Sequence, residues 1–139
     1  MASAQTTRRR PRKRAPERRF PGKTLTALRD GKFVRIRAGT AAHRFIGIWV
    51  VVVEDRVFVR SWSIKARSWY RTFREEPRGA ISVDEREIPV RARFPKGERL
   101  LDAISRAYLE KYPTKGWVKY AHDLGRPKSR ATTTELVPL

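Results

Sequence analysis

The chain has no cysteine among its 139 residues and only two histidines. The first absence excludes a disulfide scaffold, a thiol nucleophile and any thiolate-held zinc or iron–sulfur centre. The second leaves too few imidazoles for the common remaining metal sites, so no metal site is expected. No GxGxxG, P-loop or HExxH motif is present, and no serine, histidine and acid are spaced as a catalytic triad. Long apolar runs are missing too. The longest, Phe45 to Val53, is far short of the roughly 20 residues that cross a bilayer, and the N-terminus lacks the apolar stretch of a secretory signal. These absences lead to the expectation of a soluble, cytoplasmic protein with no membrane span.

Negative charge is also scarce: 14 Asp and Glu stand against 33 Lys and Arg, for a net +19. Nucleic acid, anionic membrane surfaces and phosphorylated small molecules therefore rank as partners. Part of the excess is local. Residues 1–23 hold nine basic residues, one acid and three prolines, too little apolar material to offset the entropy of ordering, and are expected to form a mobile basic tail. Arg8, Arg9, Arg10, Arg12, Lys13 and Arg14 could bind nucleic acid there by releasing counterions, or could be no more than a solvated extension. Removing the tail leaves 24 basic and 13 acidic residues, so residues 24–139 still carry +11.

That remainder is long enough for one core. A short helical turn is expected over Thr24 to Leu28, ending at the Asp30-Gly31 turn. Lys32 to Arg37 alternates, placing Val34 and Ile36 on one face and Phe33, Arg35 and Arg37 on the other. After a loop containing Gly39, Phe45 to Val53 reads as a central strand covered on both faces. Glu54-Asp55-Arg56 turns it into a hairpin partner, Val57 to Ser61. A helix is predicted over Ala66 to Glu75, with Trp69 and Phe73 anchoring it, and Pro77 and Gly79 stop it. Two further strands follow over Ala80 to Val83 and Ile88 to Phe94, the second assigned to an edge or irregularity because of Pro89. Leu100, Leu101, Ile104, Tyr108 and Tyr112 mark one stripe of a helix over Gly97 to Tyr112. A loop carrying Trp117 and Tyr120 leads to a closing strand, Thr132 to Val137. Six strands and two helices describe a mainly β fold, an antiparallel barrel with α additions.

The junction from Arg60 to Arg71 is the richest in chemistry, because an apolar hairpin runs there into a basic, hydroxyl-bearing and aromatic helix start. Unpaired N–H groups and a partial positive charge at a helix N-terminus favour an anion such as phosphate. Ser61, Ser63, Lys65 and Arg67 are candidates to receive it. The plainer alternative is that Ser61 or Ser63 caps the helix while the cations are solvated. His43, in the loop before the long apolar run, and His122 beside Asp123 are weaker candidates, because a lone histidine with no third group is commonly just exposed. The aromatic concentration of Tyr108, Tyr112, Trp117 and Tyr120 is read as core or dimer packing.

Arg60-Ser61, Trp69-Tyr70-Arg71, Ala131-Thr132-Thr133 and Leu136-Val137-Pro138 together resemble a family of small uncharacterised bacterial proteins. That family looks like a branch of the FMN-binding split barrels, which include pyridoxamine-phosphate oxidases and deazaflavin-dependent nitroreductases. The resemblance covers about Thr24 to Leu139 and implies a six-stranded split barrel that pairs as a homodimer and binds FMN or deazaflavin. It implies that Ser61, Ser63, Lys65 and Arg67 hold the cofactor phosphate, that Arg60 reaches the ring or phosphate, and that Trp62 or Trp69 stacks on the ring. Glu76-Pro77 stands where related deazaflavin enzymes carry Asn-Pro. Hydride chemistry would then belong to the cofactor, and no catalytic side chain is assigned. The resulting expectation is a flavin- or deazaflavin-binding protein, an oxidoreductase of nitroreductase type. The alternatives are a basic nucleic-acid-binding module, with Arg35, Arg37, Arg91 and Arg93 on its faces, and a cofactor-free structural or regulatory dimer.

Overall fold

Alternation along the β segments sends apolar side chains to two different cores, and this double use of the sheet explains most of the architecture. The computed structural model describes residues 18–41, 44–62 and 68–139. In chain order the elements are α1 (Gly22–Asp30), β1 (Phe33–Ala38), β2 (Ile46–Trp49), β3 (Val51–Val53), β4 (Arg56–Val59), α2 (Trp69–Glu75), β5 (Arg78–Val83), β6 (Arg86–Arg93), α3 (Glu98–Lys111), α4 (Val118–Leu124), α5 (Pro127–Arg130) and β7 (Thr134–Pro138). All neighbouring strands are antiparallel, in the order β2-β1-β5-β6-β7-β4-β3.

The described residues thus form seven strands and five helices rather than six and two. The extra strand comes from the run Phe45 to Val53, which is not one central strand. It breaks at Val50 into β2 and β3, the two outermost strands of the sheet. Because these edges are consecutive in the chain, the bend at Val50 brings the sheet close to a barrel. From Trp49 onward both faces of the run are covered, Val50 joining the inner core and Trp49 and Val51 the outer one, whereas Ile46 and Gly47 at its start are exposed. The added helices α4 and α5 occupy the segment expected to be a loop, with Ala121 and Leu124 alone buried in α4.

Val34, Ile36, Val57, Val59, Ile81, Val90 and Leu136 meet in the inner core, joined by Leu25 and Leu28 of α1 and by Phe73 of α2. Phe20 is buried with them, so packing begins before Thr24. The outer core sets Trp49, Val51 and Phe58 against Leu101, Ile104 and Tyr108 of α3 and Leu124 of α4. The α3 stripe follows the predicted spacing. Ser68, rather than Ser61, caps α2, its Oγ accepting the Arg71 N–H at 3.2 Å. Trp69 packs against the inner core and lies 6.2 Å edge-on to Phe73.

Pro89 lies in an interior strand, not an edge, since β6 pairs with both β5 and β7. Its carbonyl accepts the Leu139 N–H at 3.1 Å. A residue's N–H and C=O point to the same neighbour, so the missing N–H faces the place where β7 has already ended. The hairpins β3–β4 and β5–β6 turn through Glu54-Asp55 and Asp84-Glu85, all four at φ between 51° and 64°, the double left-handed geometry that matches strand twist.

Candidate functional site

The residues that link sheet to helices decide where a ligand can sit. Arg60 follows β4 and is 2% exposed. Its guanidinium turns into the outer core and donates to Thr133 Oγ1 (2.8 Å), Ser105 Oγ (2.8 Å), the Leu124 carbonyl (2.9 Å) and the Leu101 carbonyl (2.9 Å). Every one of these acceptors is neutral. Desolvation brings the guanidinium down to about 10, still protonated at neutral pH. Ser61 is buried next to it, its N–H donating to Thr132 Oγ1 at 2.8 Å, and that hydroxyl donates in turn to the Ser129 carbonyl at 2.6 Å. Arg60-Ser61 and Thr132-Thr133, distant in sequence, therefore form one hydrogen-bonded knot. Arg130 secures the adjoining helix α5 to α3 through Glu98 (2.6 Å) and Asp102 (2.9 Å).

Trp62, the next residue, emerges from this knot and is 42% exposed. Its ring stands edge-on to Trp49 at 5.5 Å and to Tyr120 at 6.2 Å. Together with Trp117 and Asp123 these side chains line an open groove of about 390 Å³, within the size range of small-molecule sites. Each wall has a local cause. Trp49 ends β2 on its outer face. Tyr120 and Asp123 lie three apart on α4 and so share a side, and Trp117 begins that helix. Trp49 is held flat against Tyr112, centroid to centroid 3.9 Å with 2° between planes. The Lys32 ammonium sits 4.6 Å above the Trp117 ring and the Lys119 ammonium 5.2 Å above Tyr120, the attraction expected of a cation for an indole or phenol face. Asp123 pairs with Arg126 at 3.2 Å rather than with His122, which is exposed.

Behind the groove, the end of α3 pins the Val50 bend. The Tyr112 hydroxyl lies within hydrogen-bond reach of the Val50 N–H and carbonyl, both at 3.2 Å, and of the Lys32 carbonyl. Burial pushes Tyr112 up to about 12. Lys111 Nζ donates to the carbonyls of Val50 (2.8 Å) and Leu28 (2.9 Å), and desolvation, partly opposed by Asp30, lowers it to about 8 from an ordinary 10.5. Between those two values the unfolded chain binds the proton more readily than the folded one, so this group makes stability rise with pH through that window. Lys111→Met is expected to flatten the rise: the melting-temperature difference, wild type minus variant, should increase in favour of wild type from pH 8 to 10.5. A constant difference would refute it.

The six sequence-derived candidates thus divide. Trp62 faces the groove, Arg60 and Ser61 face inward, and Ser63, Lys65 and Arg67 lie outside the described residues, as do His43, Arg8, Arg9, Arg10, Arg12, Lys13 and Arg14. The sequence places Trp49 in a strand, Trp117 and Tyr120 in packing and Asp123 only beside His122, and assigns none of them to a ligand. The i, i+3 spacing of Trp117, Tyr120 and Asp123 was a signal that could have found the α4 wall. A second depression of about 300 Å³, beside Arg18, Arg19 and Phe20, is crossed by the Arg56–Glu135 ion pair at 2.8 Å, so its most buried charge is already neutralised. Among the described residues no group of three His, Asp or Glu could hold a metal ion, and no helix is long and apolar enough to cross a membrane.

Residues 24–136 match a family described as "Uncharacterized protein conserved in bacteria (DUF2255)". A search of curated proteins found no match. Among solved structures, the chain is similar to a conserved hypothetical protein from Mycobacterium tuberculosis, with a TM-score of 0.54, 12% identity, and coverage of 92% of this chain and 84% of the other. At that identity the likeness concerns the fold.

Proposed function

The chain belongs to the DUF2255 family of bacterial proteins, and from its geometry we propose that the aromatic groove binds the planar ring of a phosphate-bearing cofactor of flavin or deazaflavin type, making the protein a cofactor-binding oxidoreductase of nitroreductase type. The observation that carries this reading is the groove itself, where Trp49, Trp62, Trp117 and Tyr120 bring four π-faces or edges around one open volume. Flat hydrophobic rings are held by stacking and edge contacts of this kind. The donor set fits the ring: three indoles and a phenol supply its walls, and Lys32 and Lys119 place positive charge beside them, complementary to an anionic ring or phosphate. Immediately after Trp62 the sequence continues Ser63-Ile64-Lys65-Ala66-Arg67, supplying hydroxyl and cationic groups suited to a phosphate.

When bound, such a ring supplies the hydride chemistry. The chain's own contribution is to stack the ring on Trp62 against the edge of Trp49, to exclude water from its apolar edge with Trp117, and to offer positive charge at the rim. Arg60 and Ser61 act as positioning residues, fixing the point from which Trp62 projects. Titration with FMN and with riboflavin, followed by quenching of tryptophan emission, tests the reading. Trp62→Ala should weaken binding at least tenfold while leaving the melting temperature nearly unchanged, because Trp62 is half exposed. No quenching by either compound or by a deazaflavin, or unaltered affinity in the variant, would overturn it.

A further inference from the structure

The outer face of β1, β5 and β6 is built differently from the groove. Alternation turns Phe33, Arg35 and Arg37 of β1 outward, while Val34 and Ile36 fill the inner core. On β5 and β6, Arg78 and Arg91 are exposed and stand directly opposite one another in the ladder. Like charges in such a pair repel. Arg37 meets Glu87 at 3.5 Å, yet among the described residues Arg35, Arg78 and Arg91 have no carboxylate within 4.0 Å. Arg35, Arg37, Arg78 and Arg91, with Arg93 two residues further along β6, therefore share this outward face, where Glu87 pairs with Arg37 alone. Phe33 is 56% exposed beside them.

Arg35 also has small neighbours on both sides, pairing with Gly47 of β2 and Ser82 of β5. A Cβ built on Gly47 would touch only the Phe33 Cβ, at 3.9 Å, so bare backbone lies between Phe33 and Arg35. From Ser82 to Arg78 is about 13 Å along the strand. The face thus offers a shallow track of unneutralised guanidinium groups that starts at an exposed phenyl ring.

We propose that this face is a docking surface for single-stranded nucleic acid, with phosphates on Arg35, Arg78 and Arg91 and an unpaired base stacked on Phe33 across Gly47. Guanidinium groups recognise phosphate oxygens by forked, charge-assisted hydrogen bonds. The net +11 of residues 24–139 draws a polyanion toward the surface. A single strand fits better than a duplex, because only unpaired bases present a π-face to Phe33 and because a sheet face does not enter a groove.

The test uses the full chain and a fluorescein-labelled oligothymidine, with anisotropy read from low to moderate NaCl concentration. Wild type should bind with affinity falling steeply as salt rises. Arg78→Ser with Arg91→Ser removes two phosphate contacts and should lower the slope of log affinity against log salt by about 1.4, without loss of melting temperature since a repulsion is removed. Gly47→Glu, which the open space around Gly47 tolerates, should weaken binding at least tenfold by placing an acid opposite Arg35. Phe33→Ala should weaken oligothymidine at least fivefold and leave heparin, which has no bases, unaffected. Variants indistinguishable from wild type would overturn the proposal. So would equal loss of heparin binding in Phe33→Ala, or binding to phosphatidylserine vesicles but not to oligothymidine.

Discussion

Arg60→Met is expected to lower unfolding stability by about 3 kcal/mol or more, because it removes one charged donor from four buried neutral acceptors and a hydrogen bond to a charged group is worth about 1.5–3 kcal/mol. Methionine fills much of the stem's volume but none of the guanidinium's four bonds. The carbonyls of Leu101 and Leu124 and the hydroxyls of Ser105 and Thr133 then lose the guanidinium as donor inside the outer core. Ser105 still donates to the Leu101 carbonyl and Thr133 to the Arg130 carbonyl, so the Leu124 carbonyl bears the largest loss, a buried polar group without its partner costing about 1–3 kcal/mol. Against a total of about 5–15 kcal/mol for a typical domain, the loss is a large fraction of what holds the chain folded. Urea denaturation, with the slope unchanged and the midpoint lowered, checks it. A variant within 1 kcal/mol of wild type would mean that the knot between β4, α3, α4 and the Thr132-Thr133 segment is dispensable.

Trp49→Ala should cost about as much, about 3–5 kcal/mol, the usual range for truncating a buried indole. Trp49 is 7% exposed and touches both halves of the account. Its face on Tyr112 belongs to the pinning of the Val50 bend, and its edges toward Trp62 and Trp117 wall the groove. This variant should therefore lose stability and ring binding together, whereas Trp62→Ala loses binding alone. Thermal melts and FMN titration on the same preparations separate the two outcomes. Wild-type stability in Trp49→Ala would show that the stack does not hold the bend.

Legibility in the sequence varied with the physics of each segment. The helix α3 was readable because Leu101, Ile104 and Tyr108 repeat at helical spacing and bury one stripe. The alternation of β1 was readable because one of its faces meets a core and the other solvent. The run Phe45 to Val53 reads as a single buried strand because an all-apolar stretch has no alternation, and nothing in it marks either the bend at Val50 or the exposure of Ile46 and Gly47. Helices α4 and α5 are short and mostly polar, and they fold by docking on α3 rather than through a period of their own. Arg60 is the clearest case. A buried arginine held by neutral acceptors from 41 to 73 residues away looks, in sequence, like any arginine free to face an anion. The groove was half visible: Trp62 stood out as a ring-stacking residue, but its companions come from β2 and α4, which only the fold brings together.

The groove formed by Trp49, Trp62, Trp117 and Tyr120 is where we propose that a planar ring enters. The chain has four tryptophans, and Trp69 lies apart from the groove, packed on the inner core. Two-dimensional NMR of the four indole N–H signals during addition of FMN therefore contains its own control. The expected result is that Trp49, Trp62 and Trp117 shift while Trp69 stays in place. Four stationary signals, or a shift confined to Trp69, would contradict the claim.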